Sequence, residues 1–307
     1  MIPHCRLQST TSVDSSREWE IAVAKKRSSR EIDHVAKNKL AETVKLSNVL
    51  LDGPKTSQRT TICYGTDDRE LVQDSKAKPF RFICRIEGSK NKSLKVGTAF
   101  IIGRRTLVTA AHNLWVDEQG KPNVQSKNRI RNFTVYPGAT ETTAPFGSFR
   151  ATAEPYPSYI GNMHVANDAA VLKLERDLPA SFSALPWLPV NPTDLDGKIC
   201  VISGYPACRP NVSKCKSPQR NQYFQGGSVA EQAGILHYLI DTTGGQSGSP
   251  ILVVTKTADG ELQSTAVGIH TKGGRRNQTM FNRGVAFRED IARFILQKFK
   301  SFEPKQA

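Results

Sequence analysis

Three polar side chains stand in contexts suited to nucleophilic chemistry. His112 ends a strand-like run in RTLVTAAHNLW, Asp168 opens another in NDAAVLKLE, and Ser247 lies in the glycine-rich stretch TTGGQSGSP. A serine hydroxyl is a poor nucleophile until a base takes its proton, and an imidazole does this best when a carboxylate orients it. Taken singly, each residue has a plainer explanation. A histidine after a strand is usually structural, an aspartate before a β-run is commonly a turn former, and a Gly–Ser cluster is usually a loop. Their joint occurrence, in the order His, Asp, Ser along one β-rich chain, is what favours chemistry.

The elements that must position them are short strands. FRFICRIEG, KVGTAFIIG, RTLVTAAH, NFTVYPG and AAVLKLE precede a Pro-rich stretch, LPASFSALPWLPVNP from Leu178 to Pro192. KICVISGYP, ILHYLIDTT, GSPILVVTK, STAVGIHTK and GVAF follow it. All are rich in Val, Ile, Phe and Tyr and punctuated by Gly, Pro, Asn and Asp. Many short strands without alternating helices predict an all-β fold, here two packed antiparallel β-barrels, about 79–190 and about 198–287. EDIARFILQKFK places Ile291, Phe294, Ile295 and Phe299 at helical spacing, so a terminal amphipathic helix over 288–300 is expected to pack on the body. Residues 1–61 are Ser-, Lys- and Arg-rich and read as an N-terminal extension with one weakly amphipathic stretch, Ile32 to Leu51.

Composition narrows the function classes. At 307 residues the chain can bury a sizeable core, and no apolar run approaches the ~18–20 residues of a membrane span. The net charge of +15 is spread along the chain without stacking aromatics or a nucleic-acid motif, so a nucleic-acid partner is not expected. The charge equally suits steering of acidic partners. None of the six cysteines forms a C-x-x-C pair, which argues against zinc and redox chemistry; no metal or cofactor is expected. Cys208 and Cys215 flank RPNVSK and could close that loop by a disulfide; six free thiols is the alternative. The first 20 residues lack the apolar core of a secretory signal.

TAAH, NDAAVLKL and GGQSGSP together resemble the signature segments of chymotrypsin-like serine proteases. The resemblance spans about residues 62–300 and implies two six-stranded barrels with a cleft between them. It also implies His112 as general base, Asp168 as its orienting carboxylate and Ser247 as nucleophile. The N–H groups of Gly245 and Ser247 would form the oxyanion hole. Glycines at 244 and 245 suit a loop that turns its amides inward, since that needs φ values most residues avoid. An α/β-hydrolase fits less well: the loop reads G-Q-S-G-S, displacing the second glycine of G-x-S-x-G, and the order of the three residues differs.

Finer features resemble one branch, the glutamyl endopeptidases. They are IDTTGGQSGSP followed by AVGIHTKGG, the segment CYGTDDRELV, and ISGYP. The resemblance implies that Thr242 and His270 bind a substrate carboxylate, with Thr271 and Gly273 pairing with the substrate backbone as an added strand. Lys272, Arg275 and Arg276 would add a favourable field. Trypsin-type enzymes place an aspartate before the nucleophile to pair with a freed terminal amine; Gln246 stands there instead. In glutamyl endopeptidases that amine lies near the specificity pocket, which makes Arg59–Ile62 a candidate processing boundary and 1–61 a candidate propeptide. The expectation is therefore a monomeric serine endopeptidase acting on protein or peptide substrates after glutamate, secreted like its family. A serine protease of other specificity and a non-catalytic protease-fold binding protein stand as alternatives.

Overall fold

A computed structural model describes residues 62–63, 67–90, 93–115, 129–180, 182–207, 220–256, 262–276 and 279–304. All belong to one unit, Glu42–Ala307. The extension 1–61, read as a candidate propeptide, and the Cys208–Cys215 loop, which a disulfide could close, lie outside the described residues.

The first half of the described chain closes into a six-stranded antiparallel barrel. Its strands are β2 (Ile83–Lys90), β3 (Ser93–Ile101), β4 (Thr106–Thr109), β5 (Asn132–Pro137), β6 (Phe149–Pro155) and β7 (Ala170–Leu174), in the order β2-β3-β4-β7-β6-β5. Alternation along β6 sends Phe149, Ala151, Ala153 and Pro155 inward and leaves Arg150 and Thr152 exposed. Fully buried Phe100, Leu107, Val108, Val171 and Leu172 fill the interior.

The second half forms the other ring. Strands β8 (Ile199–Gly204), β9 (Tyr223–Gln232), β10 (Ile235–Tyr238), β11 (Pro250–Lys256), β12 (Leu262–Arg276) and β13 (Thr279–Ala286) run in the order β9-β10-β13-β12-β11-β8, and β8 pairs back onto β9. A two-residue strand, β1 (Glu70–Leu71), adds to β9 through Phe224 and Tyr223. Ile202, Val229, Leu236, Tyr238, Ile240 and Ile251 make its core. The Pro-rich linker stitches the two halves: Leu185 N donates to Ile101 O in β3, and Val190 N donates to Phe287 O just after β13.

Short helix α1 (Pro157–Asn162) follows β6, and α2 (Glu289–Phe302) closes the domain, starting one residue and ending two residues later than expected. Ile291, Phe294, Ile295 and Phe302 are buried on one face of α2, and each such side chain is worth roughly 1.5–3 kcal/mol of burial. Glu289 and Asp290 in its first turn and Lys300 in its last suit the helix dipole. Just past its end, Glu303 accepts from Arg104 N (2.7 Å), Arg105 N (3.0 Å) and Thr106 Oγ1 (2.7 Å), fastening the helix to the β3–β4 turn. Among the described residues no helix is long and apolar enough to cross a membrane.

Candidate active site

The first barrel supplies His112 and Asp168 from two single-turn 3-10 segments at strand ends. Ala111–Leu114 follows β4 and carries His112; Val165–Asn167 precedes β7 and ends on Asp168. Asp168 grips its partner twice. Oδ1 accepts from His112 N at 2.9 Å, and Oδ2 lies 2.7 Å from Nδ1 of the ring. The Asp168 side chain is 3% exposed and that of His112 is 15% exposed, so the imidazole edge meets solvent while its orienting group does not. Burial pushes the Asp168 carboxyl upward, but the His112 charge, its two hydrogen bonds and Lys272 outweigh this and hold it below the usual range. The turn is braced from α2's start: Arg288 donates to Ala166 O and to Asn167 Oδ1, the latter at 2.6 Å.

The second barrel supplies Ser247 from the turn entering β11. Gly245 and Gly248 adopt φ of +96° and +93°, values that strain other residues. A Cβ at Gly245 would also lie 2.5 Å from Tyr205 O, and one at Gly248 would run into Thr98 O. The turn is sewn to the first barrel. Ser247 O accepts from Thr98 N (2.9 Å) and from Nδ2 of Asn113 (2.8 Å), the residue after His112. Gly245 O accepts from Thr98 Oγ1 at 2.8 Å. His112, Asp168 and Ser247 are thus drawn together across the junction of the two halves. The Ser247 hydroxyl donates to Thr271 O at 2.9 Å.

Behind Ser247, the expected pocket residues are all buried. His270 is 2% exposed, and its Nδ1 lies 2.7 Å from the Tyr238 hydroxyl. Burial, then the charge of His112, push the His270 imidazole down to about 3. Thr242 Oγ1 donates to Asn282 Oδ1 (2.8 Å), and Asn282 Nδ2 donates to Ile240 O (2.6 Å). Thr271 Oγ1 donates to Arg283 O (3.1 Å), and Gly273 O accepts from Arg283 Nη2 (3.3 Å). Lys272 sits opposite Arg283 in the β12–β13 ladder; burial and then that guanidinium hold its ammonium below the usual range. The side chains of Arg275 and Arg276 lie outside the described residues. Among the described residues no group of three or more His, Cys, Asp and Glu side chains could hold a metal ion.

Sequence reasoning missed several members of this site. Asn282, Tyr238 and Arg283 touch the pocket residues from neighbouring strands, and only the strand register brings them there. Asp67 and Arg69, in a charged stretch, reach the Ser247 turn from far along the chain.

Two barrels closed around a His–Asp pair and a glycine-turned serine define the class. Residues 97–262, more than half of the chain, match the family described as trypsin-like peptidase domain, and the protein belongs to that family, with the chymotrypsin-like fold. A glutamyl endopeptidase of Bacillus licheniformis is 26% identical over 228 residues, 74% of this chain and 66% of that protein. A glutamyl endopeptidase of Staphylococcus aureus is 23% identical over 253 residues, 79% of this chain and 60% of that one. The matched chain thus spans no more than about two thirds of these relatives' length. A solved Glu endopeptidase in complex with MPD superposes with a TM-score of 0.61 at 25% identity, covering 77% of this chain and 98% of that one.

Proposed function

We propose that the protein is a serine endopeptidase that cuts peptide bonds after glutamate, with Ser247 as nucleophile, His112 as general base and Asp168 as the group that orients it. The observation that carries this reading is the double grip of Asp168 on His112, at 2.7 and 2.9 Å, beside a serine whose own carbonyl is bound by Asn113. Held at Nδ1, the imidazole presents Nε2 to receive the hydroxyl proton of Ser247 as its oxygen attacks the scissile carbonyl. His112 then gives that proton to the leaving amine, and water repeats the cycle on the acyl-enzyme. The amides of Gly245 and Ser247 receive the oxyanion. In the free protein the Ser247 hydroxyl is occupied by Thr271 O. A substrate strand that pairs with Thr271 and Gly273 takes over that carbonyl with its own N–H, releasing the hydroxyl toward His112.

The glutamate preference rests on Thr242 and His270. With His270 pushed down to about 3, the ring is neutral near pH 7 and carries one N–H. A Tyr238 hydroxyl donating to Nδ1 leaves that proton on Nε2, ready for a carboxylate oxygen. Thr242 joins by exchanging Asn282 for the substrate. An arriving carboxylate raises the His270 pKa and strengthens the contact.

A peptide-library digest scored by the residue before each cut tests the reading. Cleavage should fall after glutamate, with glutamine at least ~10-fold poorer because it leaves the site mismatched. His270→Ala should erase most of that preference while Ser247 still reacts with a small phosphonate. Cleavage mainly after Lys, Arg or large apolar residues would overturn the glutamate assignment and leave the nucleophile intact.

A further inference from the structure

The turn that carries Ser247 is held by a buried charged side chain. Arg69 has a fully buried side chain, and its partner Asp67 is 5% exposed. Asp67 clamps the guanidinium in fork fashion, Nε to Oδ1 at 2.8 Å and Nη2 to Oδ2 at 2.5 Å. The remaining nitrogen, Nη1, donates to Gln246 Oε1 (2.7 Å) and Thr243 Oγ1 (3.0 Å). Gln246 Oε1 also accepts from Thr243 N at 3.0 Å, closing a ring around the residue before Ser247. The backbone of Gln246 is fixed as well: its N–H donates to Thr243 O, and its carbonyl accepts from Ser249 N and Ser249 Oγ.

The segment bearing Arg69 is itself docked at several points. Asp241 accepts from Cys63 N (2.7 Å) and Asp68 N (3.1 Å), β1 pairs with β9, and Val72 N donates to Gln222 O (3.0 Å). A buried guanidinium is costly to desolvate and is a weak reason for stability by itself. Its fork geometry does fix direction, since planar, bidentate pairing tolerates little rotation. Direction is what the amides of Gly245 and Ser247 and the serine hydroxyl require.

We propose that Arg69, clamped by Asp67, is the positioning residue for the Ser247 turn, acting through Gln246 and Thr243. An internal arginine thereby occupies the role that a freed terminal amine fills where aspartate precedes the nucleophile. The proposal rests on Ser247 being the nucleophile, as argued above. It implies that the turn acquires its working shape when residues 67–72 dock, whatever amine begins the chain.

The test compares Arg69→Met, Gln246→Leu, Gln246→Glu and the Arg69→Met/Gln246→Leu pair in the full chain, well below each variant's unfolding midpoint. Two quantities are read: the rate at which a small fluorophosphonate labels Ser247, and kcat and KM separately on a glutamyl peptide. Arg69→Met and Gln246→Leu should each lower labelling and kcat together by about 10²-fold, with KM within about threefold, because misplacing a reacting group chiefly costs rate. Gln246→Glu keeps an acceptor oxygen for Arg69 and should stay within about threefold of the parent. The double variant should be no slower than the worse single one, since both remove the same contact. If Arg69→Met does not fold, the contrast between leucine and glutamate at 246 decides. Parent-like labelling in folded Arg69→Met or Gln246→Leu, with only a lower unfolding midpoint, would overturn the proposal. A parent protein that the phosphonate does not label would instead overturn the assignment of Ser247 on which it rests.

Discussion

The two halves of the site are held by different physics. His112 and Asp168 sit on 3-10 turns at the ends of β4 and next to β7, backed by fully buried Ala110, Ala111, Leu114, Ala169 and Ala170. Packing and backbone hydrogen bonds place them, and one carboxylate completes the pair. The Ser247 turn is held differently. Glycines at 245 and 248 give it a shape that other residues resist, and a polar network of Arg69, Asp67, Gln246, Thr98 and Asn113 holds that shape. If this turn presents amides and a hydroxyl to a substrate, as proposed, bracing by hydrogen-bonding groups from behind leaves that face open.

The same division separates the halves' response to acid. His237 and His270 both lie in the second barrel, with their imidazoles pushed down to about 4 and about 3, in each case first by burial. An unfolded histidine titrates near 6.5, so the unfolded chain takes up protons that the folded barrel refuses. The stability they confer is complete above about pH 6.5 and is lost as pH falls toward 4. Asp241, whose burial pushes its carboxyl upward, works in the opposite direction and softens the loss. For His237 the loss between pH 7 and 4.5 amounts to about 2–3 kcal/mol. His237→Phe should remove it, since the ring packs 5.5 Å from Phe281 and burial is the chief cause that holds the imidazole down. Thermal unfolding at the two pH values should show a midpoint drop several degrees smaller in the variant. An unchanged drop would mean that the acid sensitivity lies elsewhere.

Much of this architecture was legible in the sequence. Strands with large inward side chains announced themselves, as in FICRI, GTAFII and AVLKL. β6 and β9 did not, because their inward or central residues are small: Ala151 and Ala153 in the first, Gly226, Gly227 and Ser228 in the second. The candidates His112, Asp168 and Ser247 stand out in the sequence by their joint order, in TAAH, NDAAVLKL and GGQSGSP, and not one by one. Arg69 does not stand out, since CYGTDDRELV contributes only to the resemblance and nothing in it marks this arginine for burial against Gln246. Asn282 is likewise silent in FNRGVAF, and only strand register places it against Thr242. Local motifs report chemistry, whereas the residues that brace them from distant segments become visible only in three dimensions.

A smaller effect marks the other side of the comparison. Glu303 ties α2 to the β3–β4 turn through three hydrogen bonds and touches none of the residues of the site. Glu303→Ala should cost about 1–3 kcal/mol of stability and leave kcat and KM unchanged at temperatures where the variant is folded. Chemical denaturation paired with steady-state assays checks this. A fall in kcat matching that of Arg69→Met would erase the distinction between bracing the fold and bracing the nucleophile.

The central claim is that Ser247 is a nucleophile activated by His112. It is tested most directly by treating the native chain with a fluorophosphonate and locating the adduct by mass spectrometry across the pH range. The account predicts one adduct, on Ser247, at a rate that falls as pH drops through a histidine-like value of roughly 6–7. The adduct should be absent from heat-denatured protein, and Ser247→Ala should lower peptide turnover by about 10⁴–10⁶. Labelling at another residue, or undiminished turnover by folded Ser247→Ala, would contradict it.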